Sequence, residues 1–301
     1  MSEFDPDIDN AAPAPAFESD ENKGLDLKEI GGPLIVCGGI YGNFEALEAL
    51  LAEADRLGLP PSRIIHTGNI SGFCADPRRC AEQVRDLGIV SIKGHFEEEL
   101  AAGNGECTGS FKQSGVCEIA GEQCYRFVKQ EMTKDLHGWM AELPRHVTFR
   151  LRSHEVRVVH GGVEDSAQFV FASAGAGMIR KELDRSATHI VLAGLTGLPF
   201  TRFIDGRVWH NAGVIGMPAN DGTPRIWYSL VRPDGDRIIF EHRPLSYDYR
   251  QTVAKIRKAG LPDGCARCLE TGLWPNLDSL PHTERAARGK PIALCPQIWQ
   301  R

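Results

Sequence analysis

Six short segments of this chain combine glycine with side chains that bind metals or phosphate groups. Histidine and asparagine recur in them, and imidazole nitrogens and amide oxygens are ligands of divalent cations. Each segment follows an apolar run typical of a buried strand, and α/β proteins bind their ligands at the carboxyl ends of strands. The sequence therefore predicts one cleft lined by these segments. They are residues 38–43, 66–69, 94–97, 159–162, 194–197 and 211–213.

The first half of the chain predicts the elements that position three of these segments. Asn43 is a suitable N-cap for one helix, and Asp76 followed by Pro77 is typical of the start of another, which runs to Leu87. Strand, helix, strand, helix, strand at this spacing predicts right-handed crossovers and a parallel core. The runs that indicate strands are residues 33–37, 63–66 and 89–92.

The second half predicts a different pattern, in which hairpins are frequent. A helical stretch covers about 117–141 and another lies near 172–184, with two Asp-Gly turns at 205–206 and 234–235. Strands are expected over residues 146–151, 155–160 and 189–192 and on both sides of each Asp-Gly turn. Together the two halves predict an α/β fold with two mixed sheets flanked by helices.

Composition excludes several classes of protein. The chain has 301 residues, of which 42% are hydrophobic and 25% charged, as in ordinary globular proteins. It contains no apolar run of about 18 residues, so no membrane span is expected. The acidic start of the chain is unlike a secretory signal. Nine cysteines, an odd number, are scattered along the chain, which favours reduced thiols and a cytoplasmic location.

Charge and cysteine spacing suggest how the chain is divided. Residues 1–30 are acidic and rich in proline and alanine, which predicts a disordered tail that either keeps the protein in solution or binds a partner. Residues 31–261 form the expected domain, and this remainder of the chain is nearly neutral, so nucleic acid is not an expected partner. The extension 262–301 is expected to wrap around the domain. It contains Cys265 and Cys268, a single CxxC pair, whereas structural zinc usually needs a second pair.

The order of the six segments resembles the calcineurin-like metallophosphoesterases, in particular their small bacterial branch. The resemblance covers about residues 33–250 and implies a four-layer α/β/β/α sandwich of two mixed sheets. It also implies a cleft in which two metal ions activate water against a phosphoryl group. The sequence around these segments also resembles that of the family, at residues 43–50, 75–77, 198–200 and 213–218.

Most of the family's metal-ligand positions carry other residue types here. Gly39 and Tyr41 stand where the family has aspartate and histidine, and Asn69 replaces the bridging aspartate. Two histidines of a later motif are replaced by Leu195 and Gly197. The remaining positions carry His95 for an asparagine ligand, Phe96 for the catalytic histidine, and His160, which keeps the expected type.

These replacements predict a weak metal site or none. A neutral amide cannot screen two adjacent cations, so the first subsite is expected to be empty. In the second subsite, His95, His160 and Asn69 are candidate ligands of at most one divalent transition metal, with Cys37 as a further donor. The alternative is that both histidines form hydrogen bonds in a metal-free cleft. No cofactor is expected.

We therefore interpret the chain as a degenerate metallophosphoesterase that binds a phosphate-containing small molecule or a protein partner. Backbone N–H groups at Gly42 and Asn43 are expected to hold an anion. The alternative is a hydrolase with a remodelled mononuclear site, and a third reading is a regulatory protein acting through its terminal segments. Exposed sheet edges also allow a homo-oligomer. The predicted cleft comprises Gly39, Tyr41, Gly42, Asn43, Asn69, His95, His160, Leu195 and Gly197.

One acidic run is expected to have no chemical role. Glu97, Glu98 and Glu99 follow His95 directly, at the predicted start of a helix. Three consecutive carboxylates are typical of a solvated helix face rather than of an acid and base pair. We therefore expect these side chains to point into water.

Overall fold

The computed structural model describes residues 24–102 and 118–301, with the side chains of 118–120 left out. Nine α-helices are described in these ranges. They are α1 (Phe44–Arg56), α2 (Pro77–Asp86), α3 (His95–Ala102), α4 (Glu118–Glu131), α5 (Lys134–Glu142), α6 (Ala176–Ser186), α7 (Tyr249–Lys258), α8 (Asp263–Thr271) and α9 (His282–Ala286).

The described strands form two sheets of six strands each. One sheet has the order β1-β5-β6-β7-β9-β8 and the other β12-β11-β10-β2-β3-β4. The strands are β1 (Gly24–Ile30), β2 (Leu34–Cys37), β3 (Ile64–His66), β4 (Val90–Ser91), β5 (His146–Leu151), β6 (His154–Val158), β7 (Ile190–Ala193), β8 (Phe200–Ile204), β9 (Arg207–Asn211), β10 (Ile226–Asp234), β11 (Arg237–Leu245) and β12 (Gln297–Gln300).

Both sheets are mixed, as predicted. Strands β2, β3 and β4 run parallel, with α1 and α2 as the connecting helices. In the other sheet β6, β7 and β9 run parallel, whereas β8 and β9 form an antiparallel hairpin. At the hairpin turn, Asp205 and Gly206 both have positive φ, of 50° and 73°. This is the conformation that a type I′ turn requires, and it explains the Asp-Gly signal.

Alternation of side chains along the strands produces the layers. Leu34 and Val36 on β2 face a core between the two sheets, whereas Ile35 and Cys37 on the same strand face a second core. Helices α1 and α2 cover that second core, and α6 packs on the outer face of the other sheet. The order is therefore helices, sheet, sheet, helix, which confirms the predicted four-layer α/β/β/α sandwich.

Two predicted helices begin or end differently. The stretch expected over 117–141 is two helices, because α4 ends at Glu131 and Thr133 caps α5 by accepting the N–H of Leu136. Helix α2 begins after Asp76, as predicted, but the Asp76 side chain does not cap it. That carboxylate instead pairs with Lys255 on α7 at 2.5 Å.

The prediction of disorder over residues 1–30 is wrong for its last part. Residues 24–30 form β1, which pairs in parallel with β5 at the edge of its sheet. The strand is largely exposed, and Leu27 and Ile30 are the residues that pack against the core between the sheets. Backbone pairing and these two apolar contacts therefore place the end of the acidic stretch in the sheet. Residues 1–23 lie outside the described part of the chain.

The C-terminal extension contributes to both the core and a sheet. Helix α8 places Cys265, Ala266 and Leu269 in the core beneath α1 and α2. Strand β12 extends the β10–β11 side of its sheet by pairing with β11. Among the described residues, no helix is both long and apolar enough to cross a membrane.

Candidate functional site

The six predicted segments meet at one edge of the two sheets and are joined by hydrogen bonds, some of them between backbone groups and others from side chains. Gly38 donates to Gly213 at 2.9 Å, which links the end of β2 to the loop after β9. The Ile40 N–H donates to the carbonyl of Asn69 at 2.9 Å, which joins the loops after β2 and β3. Gly194 donates to His160 at 3.0 Å. The spatial convergence expected from the strand order is therefore present.

Three non-glycine residues in these loops have left-handed backbone conformations. The φ angles of Tyr41, Asn69 and Leu195 are 53°, 65° and 63°. Such angles cost L-residues about 1–2 kcal/mol each and persist where the surrounding structure imposes them. All three positions are among those where the resemblance places metal ligands. The loops thus adopt these strained conformations with side chains other than the ligands that the resemblance implies.

Tyr41 fills the space next to Gly39. A Cβ atom on residue 39 would lie 2.4 Å from the Cζ atom of Tyr41, so any larger side chain there would displace the ring. Tyr41 is 5% exposed, and its ring lies 5.1 Å from that of Phe73. Burial raises the pKa of Tyr41 to about 12, so the phenol stays neutral at neutral pH. The first two ligand positions of the family are therefore replaced by an aromatic contact.

Asn69 and Glu97 hold the start of α3 against the loop after β3. The Oδ1 atom of Asn69 accepts the N–H of Phe96 at 3.1 Å. The carboxylate of Glu97 accepts three backbone N–H groups, each at 2.8 Å. The donors are Asn69, Ile70 and Gly94. Asn69 is thus engaged in supporting backbone.

The expectation that Glu97, Glu98 and Glu99 point into water is wrong for two of them. Glu97 is fully buried and Glu99 is 6% exposed. Burial raises the pKa of Glu97, while its hydrogen bonds from Asn69, Gly94 and Ile70 lower it, and the net shift is upward. Glu98 is the partly exposed member and lies 3.6 Å from Arg145. Glu97 is therefore a structural acceptor.

His95 and His160 lie side by side with ring centroids 5.0 Å apart, edge to face. The Nδ1 atom of His160 is 2.6 Å from the carbonyl of Thr67, which can only accept, so Nδ1 carries the proton. The Nε2 atoms of both rings are buried and have no partner among the described residues. Burial lowers the pKa of both, that of His160 to about 3. Both imidazoles are therefore neutral at neutral pH.

Trp274, from the C-terminal extension, covers Gly197. The Cζ2 atom of Trp274 lies 3.0 Å from where a Cβ on residue 197 would sit. The indole Nε1 donates to the carbonyl of Pro218 at 2.7 Å, and the side chain is 7% exposed. Leu195, two residues earlier, is 8% exposed. The positions of the family's last histidine pair are thus occupied by apolar contacts.

The anion site expected at Gly42 and Asn43 is absent. The N–H of Gly42 donates to Ile70 at 2.8 Å, and that of Asn43 donates to Ile40 at 2.9 Å. The Asn43 side chain caps α1 by accepting the N–H of Ala46 at 3.2 Å. Neither backbone donor is free for a ligand. These two residues stabilise the loop instead.

The cysteine candidates are buried thiols. Cys37 is 1% exposed, and burial raises its pKa to about 12, which disfavours the thiolate that a metal would need. Cys265 and Cys268 lie buried on α8. Among the described residues, no group of three or more histidine, cysteine, aspartate or glutamate side chains is arranged to hold a metal ion.

The dinuclear centre of the family does not fit these side chains. Two cations about 3.5–4 Å apart need a bridging anion, and the bridging position here carries a neutral amide. Tyr41 and Trp274 occupy the space that ligands at positions 39 and 197 would need. His95 and His160 are the two remaining nitrogen donors of the predicted set.

Acidification is expected to destabilise the protein before its carboxylates titrate. Burial lowers the pKa of His66 to about 3 and that of His242 to about 4, from an ordinary value of 6.5. Burial also lowers the pKa of His210, whose ring stacks 4.5 Å from that of His242. Between those values and 6.5 the unfolded state binds more protons, so stability is fully present above pH 6.5 and falls as the pH decreases.

The slope of this loss is about 1.4 kcal/mol per pH unit for each histidine. Urea unfolding from about pH 7 to about pH 5 measures it. A His242→Gln variant should flatten the curve, whereas His282→Gln, at an exposed position, should leave it unchanged. Stability that stays constant down to about pH 5 would contradict the prediction.

Two solved structures share the fold of this chain. No protein-family model matches the chain. A metallophosphoesterase from Sphaerobacter thermophilus superposes with a TM-score of 0.65 at 22% identity and covers 81% of this chain and 100% of its own. A hypothetical protein from Pyrococcus horikoshii superposes with a TM-score of 0.69 at 17% identity, over 80% of this chain and 99% of its own. An uncharacterised protein of Methanocaldococcus jannaschii is 23% identical over 247 residues, which are 76% of this chain and 94% of the relative.

Proposed function

We propose that this chain, which has the metallophosphoesterase fold, acts by binding and lacks dinuclear-metal hydrolysis. The observation that carries the proposal is the position of the Tyr41 ring, 2.4 Å from a Cβ atom built on Gly39. A terminal carboxylate ligand at residue 39 and this ring exclude each other. The neutral Asn69 at the bridging position supports the same conclusion, because it offers no charge to screen two cations.

The proposed ligand is a phosphate-containing small molecule or a protein partner. Small-molecule sites need concave surface with convergent polar groups, and the edge of the sheets at His160 offers this. The described cysteines are all free, which supports the proposed cytoplasmic location, where thiols stay reduced.

The test is metal content together with hydrolysis of a generic phosphodiester, on full-length protein purified without chelator. We expect substoichiometric metal by plasma mass spectrometry. Bis-p-nitrophenyl phosphate is not expected to be hydrolysed faster in the presence of Mn²⁺. The matched control is the His95→Ala/His160→Ala variant, which should give the same two results. Two equivalents of metal, with Mn²⁺-dependent hydrolysis that this variant loses, would overturn the proposal.

A second candidate function rests on the two unpartnered imidazoles. His95 and His160 are neutral and adjacent. Neither Nε2 atom has a hydrogen-bond partner among the described residues. This is the protonation state that metal ligation requires. A mononuclear hydrolase would bind about one equivalent of metal, lost on substitution of either histidine. The same measurement therefore separates the two candidates.

A further inference from the structure

A cavity of about 440 Å³ lies beside His160, on the outer face of the sheet that contains β5 and β6. Arg157 on β6 and His146 on β5 line one wall, since they alternate with the residues that face the core. Arg185 on α6 and Arg145, just before β5, are also part of the lining. The cavity is therefore rich in cationic side chains and is separate from the space filled by Tyr41.

Most charged groups of the lining are already paired. Glu98 lies 3.6 Å from Arg145 and also accepts the hydroxyl of Ser166 at 3.0 Å. Arg185 lies 3.1 Å from Glu164 and 2.7 Å from Glu182. These pairs neutralise two of the arginines. An anion that enters the cavity would therefore find an uncompensated positive charge only on the third arginine of the lining.

Arg157 is that third arginine, and its charge is not compensated. It is half-buried, and among the described residues no carboxylate lies within salt-bridge distance of it. Its Nε atom is buried without a hydrogen-bond partner. Burial lowers its pKa, which reflects the unfavourable environment for the cation. A buried cation of this kind is stabilised by an anion that accepts its N–H groups.

His160 supplies the complementary acceptor. Its side chain is 2% exposed and lines the same cavity. Because Nδ1 donates to Thr67, the neutral ring has a lone pair on Nε2, and that atom has no partner among the described residues. A hydrogen phosphate group has oxygens that accept from a guanidinium and one hydroxyl that donates. The cavity thus offers both kinds of partner.

We propose that this cavity binds the phosphate group of a small phosphorylated molecule, with Arg157 as its principal cationic contact. The inference rests on the proposed binding function and names its ligand class and site. A volume of about 440 Å³ exceeds that of phosphate alone and falls in the range of small-molecule pockets. The guanidinium fork matches two phosphate oxygens at once, which a lysine cannot do.

The test is titration calorimetry on the full chain with inorganic phosphate and with adenosine monophosphate, at matched ionic strength. Arg157→Gln is expected to weaken binding of both by at least about tenfold. Arg157→Lys keeps the charge without the forked guanidinium, so its affinity should lie between that of the native protein and that of Arg157→Gln. The matched control is Arg150→Gln, which removes an exposed arginine from β5, on the same face. Its affinity should stay within about twofold of the native value.

Two results would overturn the inference. One is native protein that binds neither probe. The other is binding that Arg157→Gln leaves intact, which would locate the phosphate site elsewhere and leave the proposed binding function standing. Circular dichroism and thermal unfolding of each variant check that it is folded. Failure of the proposed function itself would show in metal content and hydrolysis, which are measured separately.

Discussion

Replacing Glu97 by alanine is expected to lower the free energy of unfolding by about 3–5 kcal/mol. The carboxylate accepts the N–H groups of Asn69, Ile70 and Gly94, each at 2.8 Å, in a fully buried position. Alanine would leave three buried donors without acceptors, two in the loop after β3 and one just before α3. Urea unfolding followed by circular dichroism measures the change.

Two further variants separate the hydrogen bonds from other effects. Glu97→Gln keeps the volume and one acceptor oxygen, so its loss should be smaller than that of alanine. Glu122→Ala removes an exposed carboxylate that pairs with Arg126 on α4, and it should cost no more than about 0.5 kcal/mol. Equal unfolding midpoints for Glu97→Ala and Glu122→Ala would contradict the structural role of Glu97.

Replacing Trp274 by alanine is expected to cost about 3–5 kcal/mol. Its indole packs on Gly197, donates to Pro218, and belongs to a buried cluster with Phe171, Cys268 and Leu280. The substitution leaves a cavity and one buried carbonyl without its donor. Because Trp274 connects the C-terminal extension to the edge of the sheets, we also expect faster proteolysis of that extension.

Trp274→Phe is the matched variant. It keeps an aromatic ring over Gly197 but loses the hydrogen bond to Pro218, so about 1–2 kcal/mol is expected. Urea unfolding and limited trypsin digestion, run in parallel on both variants, check the two expectations. A Trp274→Ala protein with native unfolding and native digestion would show that the extension is held by its other contacts alone.

The fold was predictable because its signals are local. Apolar runs that end in glycine indicate buried strands wherever they occur, and Asp205 with Gly206 indicates a hairpin through its φ requirement alone. The strand β1 was not predictable in this way. It lies at the end of an acidic stretch with few apolar residues, and it depends on pairing with β5, a partner more than a hundred residues away, and on the packing of Leu27 and Ile30.

The candidate site was predictable in position but not in its interactions. The strand order determines that Tyr41, Asn69 and His160 approach one another. Whether a backbone N–H is free depends on tertiary contacts, and those of Gly42 and Asn43 are taken by carbonyls within the adjoining loops. The prediction that Glu97 points into water was wrong for the same reason. A run of three glutamates does not indicate that one of them accepts three buried N–H groups.

The surroundings of Arg157 and the contact partner of Trp274 were also beyond the reach of sequence patterns. Arg157 belongs to an alternating strand, and alternation correctly indicates that it points away from the core between the sheets. That pattern does not indicate whether a carboxylate on the outer face of the sheet pairs with Arg157. Trp274 is an isolated aromatic residue in a segment rich in proline and glycine, and its contact with Gly197 spans 77 residues of chain.

The left-handed backbone of Tyr41, Asn69 and Leu195 bears on how such a protein can change over evolutionary time. Asparagine tolerates this conformation better than most L-residues, whereas Tyr41 and Leu195 adopt it at a torsional cost, so the surrounding contacts impose the loop path there. Point substitutions at these positions can therefore change the side chain while the surrounding contacts keep the loop path. The volume filled by Tyr41 next to Gly39 and by Trp274 next to Gly197 then limits which side chains those two positions can accept.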